Sequence, residues 1–324
     1  MVPGALHSLT VVPSKATRLD FARWLVAAEN PLTPRVIVNR YWQRFFGRGI
    51  VETENDFGIQ GTLPTHPELL DWLATEFIES GWDVKAIQRE IVTSATYRQE
   101  SHHRPELNEV DPFNKLLARQ SRVRLDAEII RDNALAASGL LSRRIGGPSV
   151  HPPQPDGIYA FTQDQKPWDT DTDEDRYRRG MYTYFWRSSP YPSLVAFDAP
   201  EANVTCTRRV RSNTPLQSLT LANDIQFVEC ARALAREVLA ADCDDEGQRA
   251  ELLFRRCFAR AANELERSRL VELVAAQRQA FSQDPGAATA LVGGEKPHSN
   301  DIELASWTAT SRVLMNLDEF ITRE

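Results

Sequence analysis

Apolar residues recur at three- and four-residue spacing over most of this chain, and the clearest run lies between Glu29 and Ser101. Ile37, Tyr41 and Phe45 fall on one helical stripe with Val38, Trp42 and Phe46 beside it. This spacing predicts an amphipathic helix capped by Thr33, opened by Pro34 and stopped by Gly47. Leu69, Leu70, Leu73, Phe77 and Ile78 predict a second helix, with Thr65 and Glu68 at capping-box spacing and Gly81 as the stop. Asp83 caps a third, carrying Val84, Ile87 and Ile91. A long polar loop separates the first two.

Elsewhere the same period predicts a short helix over residues 19–28, a helix restarting at Asp111-Pro112 through Leu117, and a longer one from Asp126 to about Gly139. From Ser142 to Asp175 no regular period survives, and glycines, prolines and acids dominate. Met181, Thr183 and Phe185 then alternate with Tyr182, Tyr184 and Trp186, which reads as a strand pairing with residues 193–197. Thr214-Pro215 starts a short helix, Asn223-Asp224 ends it and caps the next to Leu239, and helical runs at 248–259, 265–281 and 302–320 follow. The expected fold is therefore mainly α, a multi-helix bundle with a small β insertion around residues 177–197. Its parts are a flexible segment 1–17, a helical half 18–141, an irregular and β segment 142–212, and a second helical half 213–324, in one continuous domain or two tightly packed halves.

At 324 residues the chain can bury a substantial core. A net charge of −7 gives no overall attraction to phosphate backbones, so no nucleic-acid partner is expected. Cys206, Cys230, Cys243 and Cys257 form no CxxC, CxxCH or metal-finger spacing. Export would permit disulfides among them; otherwise they are small buried hydrophobes. No apolar run reaches the roughly 18 residues of a membrane span, and no secretory signal is visible at the N-terminus.

The run NPLTPRVIVNRYWQRFFGRGIVETENDFGIQGTLPTHPELLDWLA, the later IVTSATYRQ and the segment SNTPLQSLTLAND resemble the planctomycete secreted C-terminal domain. That family has no known function and is usually fused behind planctomycete cytochrome c domains. The likeness extends through RLDAEIIRD, GGPSV, FDAP and CTRRVRSNTPLQ to NLDEF. It implies an extracytoplasmic location and cytochrome c-like or envelope-hydrolase partners. It places haem only on fused or partner domains, so no cofactor is expected in this chain, which looks like a separated or truncated module.

No GxSxG, HExxH, P-loop or GxGxxG signature is present. Four segments remain as candidates. In the 47–66 loop, Asp56 and His66 are placed for general acid-base chemistry or for structure alone. Arg208, Arg209 and Arg211 lead through Asn213 and Thr214 into a helix N-terminus, with Asn223 and Asp224 beyond. They would bind a sulfate, phosphate or carboxylate, or else pair with internal acids such as Asp198. Asp169, Asp171 and Asp173 alternate as in a calcium loop but lack its glycine and closing glutamate, which favours a solvated charge run over a metal site. Trp168, Tyr177, Tyr182, Tyr184, Trp186 and Tyr191 either pack or line a groove for a sugar or peptide. Two functions follow: a non-catalytic interaction module, or a hydrolase or lyase of an anionic, sulfated polysaccharide using Asp56 and His66 with the arginine segment as clamp.

Overall fold

The computed structural model describes residues 16–158 and 167–323, and within them the fold is mainly α. The expected flexible segment lies, apart from Ala16 and Thr17, outside the described residues. The chain divides into two compact units, one through Val123 and one from Arg124 to Arg323.

In the first unit, α1 (Arg18–Leu25) is followed by α2 (Thr33–Phe46), α3 (Pro67–Glu79) and α4 (Val84–Thr93). The apolar stripes meet as the spacing predicts: Val38, Trp42 and Phe46 pack with Leu70, Leu73 and Phe77 and with Ile87 and Ile91. Gly47 and Gly81 take φ of +77° and +72°, the left-handed conformation that favours glycine after a helix. The starts differ from the expectation. Thr33 is already helical, and the Asn30 side chain accepts from the Leu32 and Thr33 amides at 3.0 and 3.1 Å instead. Pro67 takes the first helical position of α3, so His66 is the N-cap and the Thr65–Glu68 box is one residue out of frame. Asp111 to Leu117 forms turns rather than a helix, because the Asp111 carboxylate accepts the Lys115 and Leu116 amides and Asn114 and Leu117 adopt positive φ.

In the second unit, α5 (Ala127–Ala137), α9 (Ile225–Ala240), α10 (Glu246–Phe258), α11 (Glu264–Gln283) and α13 (Asp301–Met315) share one core. Asp126 precedes α5, and Asp224 caps α9 by accepting from the Gln226 amide. Helix α13 packs on α9, α11 and α12 (Pro285–Val292) and is buried over most of its surface, with Val313 exposed. Ser306, Thr308, Thr310 and Ser311 are fully buried, and each donates its hydroxyl to the carbonyl four residues back. Arg278 of α11 binds Glu303 of α13 at 2.7 Å and Glu246 of α10 at 2.5 Å, tying three helices. The last predicted helix breaks at Asn316, and α14 (Asp318–Ile321) leads into the final strand.

The β insertion is corrected by the structure. Residues 180–182 form a 3-10 turn, and Pro192–Ala196 is helix α7. Only isolated bridges join Ser142 to Arg178 and Val150 to Thr183. Pro190 and Pro192 stand just before the would-be second strand, and Pro192 suits the first turn of the helix that forms there instead. Gly180 also lies so close to α5 that a Cβ would meet the Glu128 Cα at 2.8 Å, which pins the segment to that helix. The only sheet among the described residues pairs Val123–Arg124 (β1) with Thr322–Arg323 (β2). All four cysteines are free; Cys230 and Cys257 are buried as small hydrophobes, with burial pushing each thiol up to about 12, whereas Cys206 is exposed.

Asn39 is fully buried and brackets Val51, donating to its carbonyl at 3.0 Å and accepting from its amide at 2.9 Å. Asn39→Ala strands both backbone groups and is expected to destabilise the first unit by about 2–4 kcal/mol, measured by urea unfolding. The hydrogen bonds from Arg278 hold the Glu303 carboxyl below the ordinary 4.5. A depressed acid contributes stability that is complete above its unfolded value and is lost as pH falls through its folded value. Unfolding of the second unit is therefore expected to become easier below about pH 4.5, and Glu303→Gln is expected to flatten that dependence in a melting series.

Candidate functional site

The densest polar centre is built in the second unit around two fully buried arginines. Arg131 projects from α5 and donates from Nε to the Gln226 carboxamide oxygen at 2.8 Å, from Nη2 to the Arg176 carbonyl at 3.1 Å and from Nη1 to the Arg178 carbonyl. The Arg178 guanidinium donates to the Pro148 carbonyl at 2.8 Å and to the Gly146 carbonyl, and stacks 3.8 Å from the Tyr182 ring centroid. Gly147, at φ +92°, passes so close that a Cβ would lie 3.5 Å from Arg178 Nη1 and 3.2 Å from Arg144 Nη2. The Gly-Gly-Pro run is thereby a collar of backbone carbonyls on a guanidinium.

Three carboxylates surround this centre. Asp132 accepts the Gly180 amide at 2.6 Å, and Asp224 caps α9; burial raises the pKa of both. Glu229 takes a forked bond from Arg176 at 3.0–3.2 Å and the Tyr177 hydroxyl at 2.8 Å. Burial lowers the basicity of Arg131. Tyr191, also buried, donates its hydroxyl to the Pro153 carbonyl at 2.6 Å, and burial raises its pKa strongly. The aromatic residues singled out by the sequence converge here: Trp168 stacks on Tyr191, and Tyr184 stacks on His151.

The arginine segment lies nearby in the same unit. Arg209 binds Glu128 through both terminal nitrogens at 2.6 and 3.0 Å, and the bonds to Glu128 raise its pKa. Arg211 reaches Asp126 at 3.4 Å. Asp198 pairs with Arg124 at 2.5 Å and accepts the Ser212 amide and hydroxyl. These bonds strap residues 209–212 to the start of α5, while Arg208 and Asn213 are exposed. Thr214 precedes α8 (Pro215–Asn223), where Gln217 accepts from its amide at 3.4 Å. Asn223 binds the Leu219 carbonyl at the other end.

Among the acids, Asp169 is exposed, Asp171 accepts the His151 amide at 2.5 Å, and Asp173 opens the one-turn helix α6 (Asp173–Arg176). No group of three or more His, Cys, Asp or Glu with metal-holding geometry occurs among the described residues.

The chain matches over residues 17–274 the family described as PSD1, Protein of unknown function (DUF1553). The chain belongs to the PSD1 family. No curated protein and no solved structure matches it. The matched span takes in the whole arginine and aromatic centre of this PSD1 chain as well as the 47–66 loop.

That loop sits in the first unit. Asp56 accepts the Gly58 amide at 2.8 Å through its side chain and the Thr53 hydroxyl at 2.7 Å through its carbonyl. The Thr62 hydroxyl accepts the Glu52 amide, and the Thr53 hydroxyl accepts the Thr62 amide. A Cβ on Gly61 would lie 2.1 Å from the Asp56 carbonyl oxygen, so that turn admits only glycine. His66 Nδ1 lies 2.9 Å from the Thr65 hydroxyl. Ile59 and Leu63 are 105% and 88% exposed on this hydrogen-bonded frame.

Sequence reasoning did not single out Arg131, Arg178, Gln226 or His151. The signal for Arg131 was an arginine inside an apolar helical stripe, where a solvated charge has no place, whereas Arg178 lies ahead of the alternating run that begins at Met181 and carried no such signal. Arg131→Met is expected to destabilise the second unit by roughly 3 kcal/mol, because it leaves buried acceptors unsatisfied. Arg131→Lys is not expected to rescue it, since an ammonium cannot supply the planar fork. Arg208→Ala is the control, expected within about 0.5 kcal/mol of the parent in chemical unfolding.

Proposed function

We propose that this PSD1 chain is a non-catalytic helical interaction module of a planctomycete cell-envelope or secreted system, and that the 47–66 loop is a contact surface. The observation that carries the reading is the outward placement of Ile59 and Leu63 on a loop already fixed by its own hydrogen bonds. Apolar side chains on a preordered frame gain burial on docking while losing little conformational freedom. The side-chain and backbone bonds of Asp56 support the same reading, because they are the bonds of a residue that shapes a turn. No helix among the described residues is long and apolar enough to cross a membrane. The resemblance to domains fused behind cytochrome c modules supplies the partner class: a cytochrome c-like domain, or a hydrolase of the envelope.

The test joins Ile59→Ser to Leu63→Ser. The double variant is expected to unfold within about 0.5 kcal/mol of the parent, since both side chains are solvated. It is expected to lose at least tenfold in affinity for the partner cytochrome c-like domain in a titration, the equivalent of about 1.4 kcal/mol. Unchanged affinity overturns the assignment of the loop. Turnover of a sulfated polysaccharide that Asp56→Ala or His66→Ala abolishes would replace the module by a hydrolase or lyase.

A further inference from the structure

The aromatic residues of the second unit form a ladder that runs from the core to solvent. Tyr191 is buried; Trp168 stacks on it at 5.9 Å, His151 meets Trp168 edge-on at 4.8 Å, Tyr184 stacks on His151 at 5.0 Å, and Trp186 meets Tyr184 at 5.7 Å. Packing alone accounts for the inner end. At the outer end Tyr184 is 37% exposed, and the side chains of His151 and Asp171 are 31% and 32% exposed. The ladder therefore ends at solvent in an aromatic ring beside an imidazole and a carboxylate.

The position of these groups is rigidly set. The Val150 amide donates to the Tyr182 carbonyl at 2.8 Å, and the Tyr184 amide donates to the Val150 carbonyl at 2.7 Å, which fixes His151 beside Tyr184. The His151 and Asp171 backbones are joined by an amide-to-carbonyl bond of 3.0 Å, and Asp171 also accepts the His151 amide. The carboxylate thus lies 3.7 Å from His151 Nδ1. The Trp168 indole nitrogen is held by the Pro152 carbonyl at 2.7 Å, which fixes the ring in turn.

We infer that this outer end binds a neutral saccharide, with Tyr184 as the stacking surface for a pyranose ring, Trp186 standing edge-on beside it, and His151 and Asp171 as hydrogen-bond partners of its hydroxyls. A pyranose presents an apolar C–H face and a rim of hydroxyls that both donate and accept, which matches an aromatic surface bordered by a carboxylate and an imidazole. Charge decides between neutral and sulfated sugars. Asp171 stands 3.7 Å from His151 Nδ1 at this end, and a sulfate brought to the same hydroxyl-binding position meets its like charge. The rings follow one another in a row of alternating stacked and edge-on contacts, which suits a flat sugar face laid on one ring better than the enclosed cage of a quaternary ammonium.

The full chain is titrated calorimetrically with cellohexaose, xylohexaose, mannohexaose, a chondroitin sulfate hexasaccharide and choline. Saturable binding is expected for at least one neutral hexasaccharide and for neither the sulfated one nor choline. Tyr184→Ala is expected to weaken that binding about tenfold, the size of one lost aromatic contact. Tyr184→Phe, which keeps the ring, is expected to retain it. Asp171→Asn keeps an acceptor for the His151 amide and reports on the carboxylate, with an expected loss of affinity and an unchanged unfolding midpoint. The inference is overturned if no neutral hexasaccharide saturates, if Tyr184→Ala binds as the parent does, or if the sulfated sugar or choline binds more tightly than every neutral one.

Discussion

Arg131 carries a permanent charge into the middle of the second unit, and what it meets there is a carboxamide and two backbone carbonyls. Dipoles, unlike a carboxylate, compensate a cation only when they are held in the right directions. The Arg176 and Arg178 carbonyls come from a segment with little regular structure of its own, and Gln226 comes from the first turn of α9. The guanidinium therefore joins α5, α9 and residues 176–178. Without that segment the charge would be unsatisfied, and without the charge the segment would have few reasons to adopt one course.

Arg178 repeats the arrangement one layer further out, with carbonyls of the Gly-Gly-Pro run as acceptors and the Tyr182 ring beneath it. The two arginines bind the backbone at Gly146 and Pro148 on one side and at Arg176 and Arg178 on the other. The same device in the 208–214 segment uses carboxylates instead: Asp126, Glu128 and Asp198 engage Arg209, Arg211 and Arg124. Those pairs are partly exposed, so their contribution to stability is modest, and their effect is to fix position. A chain that runs irregularly for many residues can be as well placed as a helix when its backbone groups satisfy buried cations.

The first unit solves the same problem with a carboxamide, hydroxyls and one carboxylate. Asn39 reads both backbone groups of Val51, and the Thr53–Thr62 and Asp56–Gly58 bonds complete the loop that follows. The order of that loop, rather than any catalytic geometry, is what makes exposed Ile59 and Leu63 informative about a surface.

The helices with one apolar stripe were legible in the sequence, because a 3.6-residue period records which face is buried: α2, α3 and α4 pack on residues that the spacing marks, Val84 alone of the α4 set lying exposed. Stops at Gly47, Gly81 and Gly139 were legible because a left-handed backbone is local. Helix starts were less so, since a carboxamide three residues away or a proline at the first position shifts the frame, as at Asn30 and Pro67. Helix α13 buries most of its surface, small hydroxyl residues included, so its run was legible but only packing decided its break at Asn316. The alternation from Met181 to Trp186 looked like a strand because period two reports opposite-facing side chains, whether or not a partner strand exists. Tertiary structure decided that the partners there are the Val150 backbone and the Glu128 surface of α5. The partners of the arginine centre were invisible for a related reason: acceptor carbonyls from distant segments leave no pattern in the order of residues, only in space.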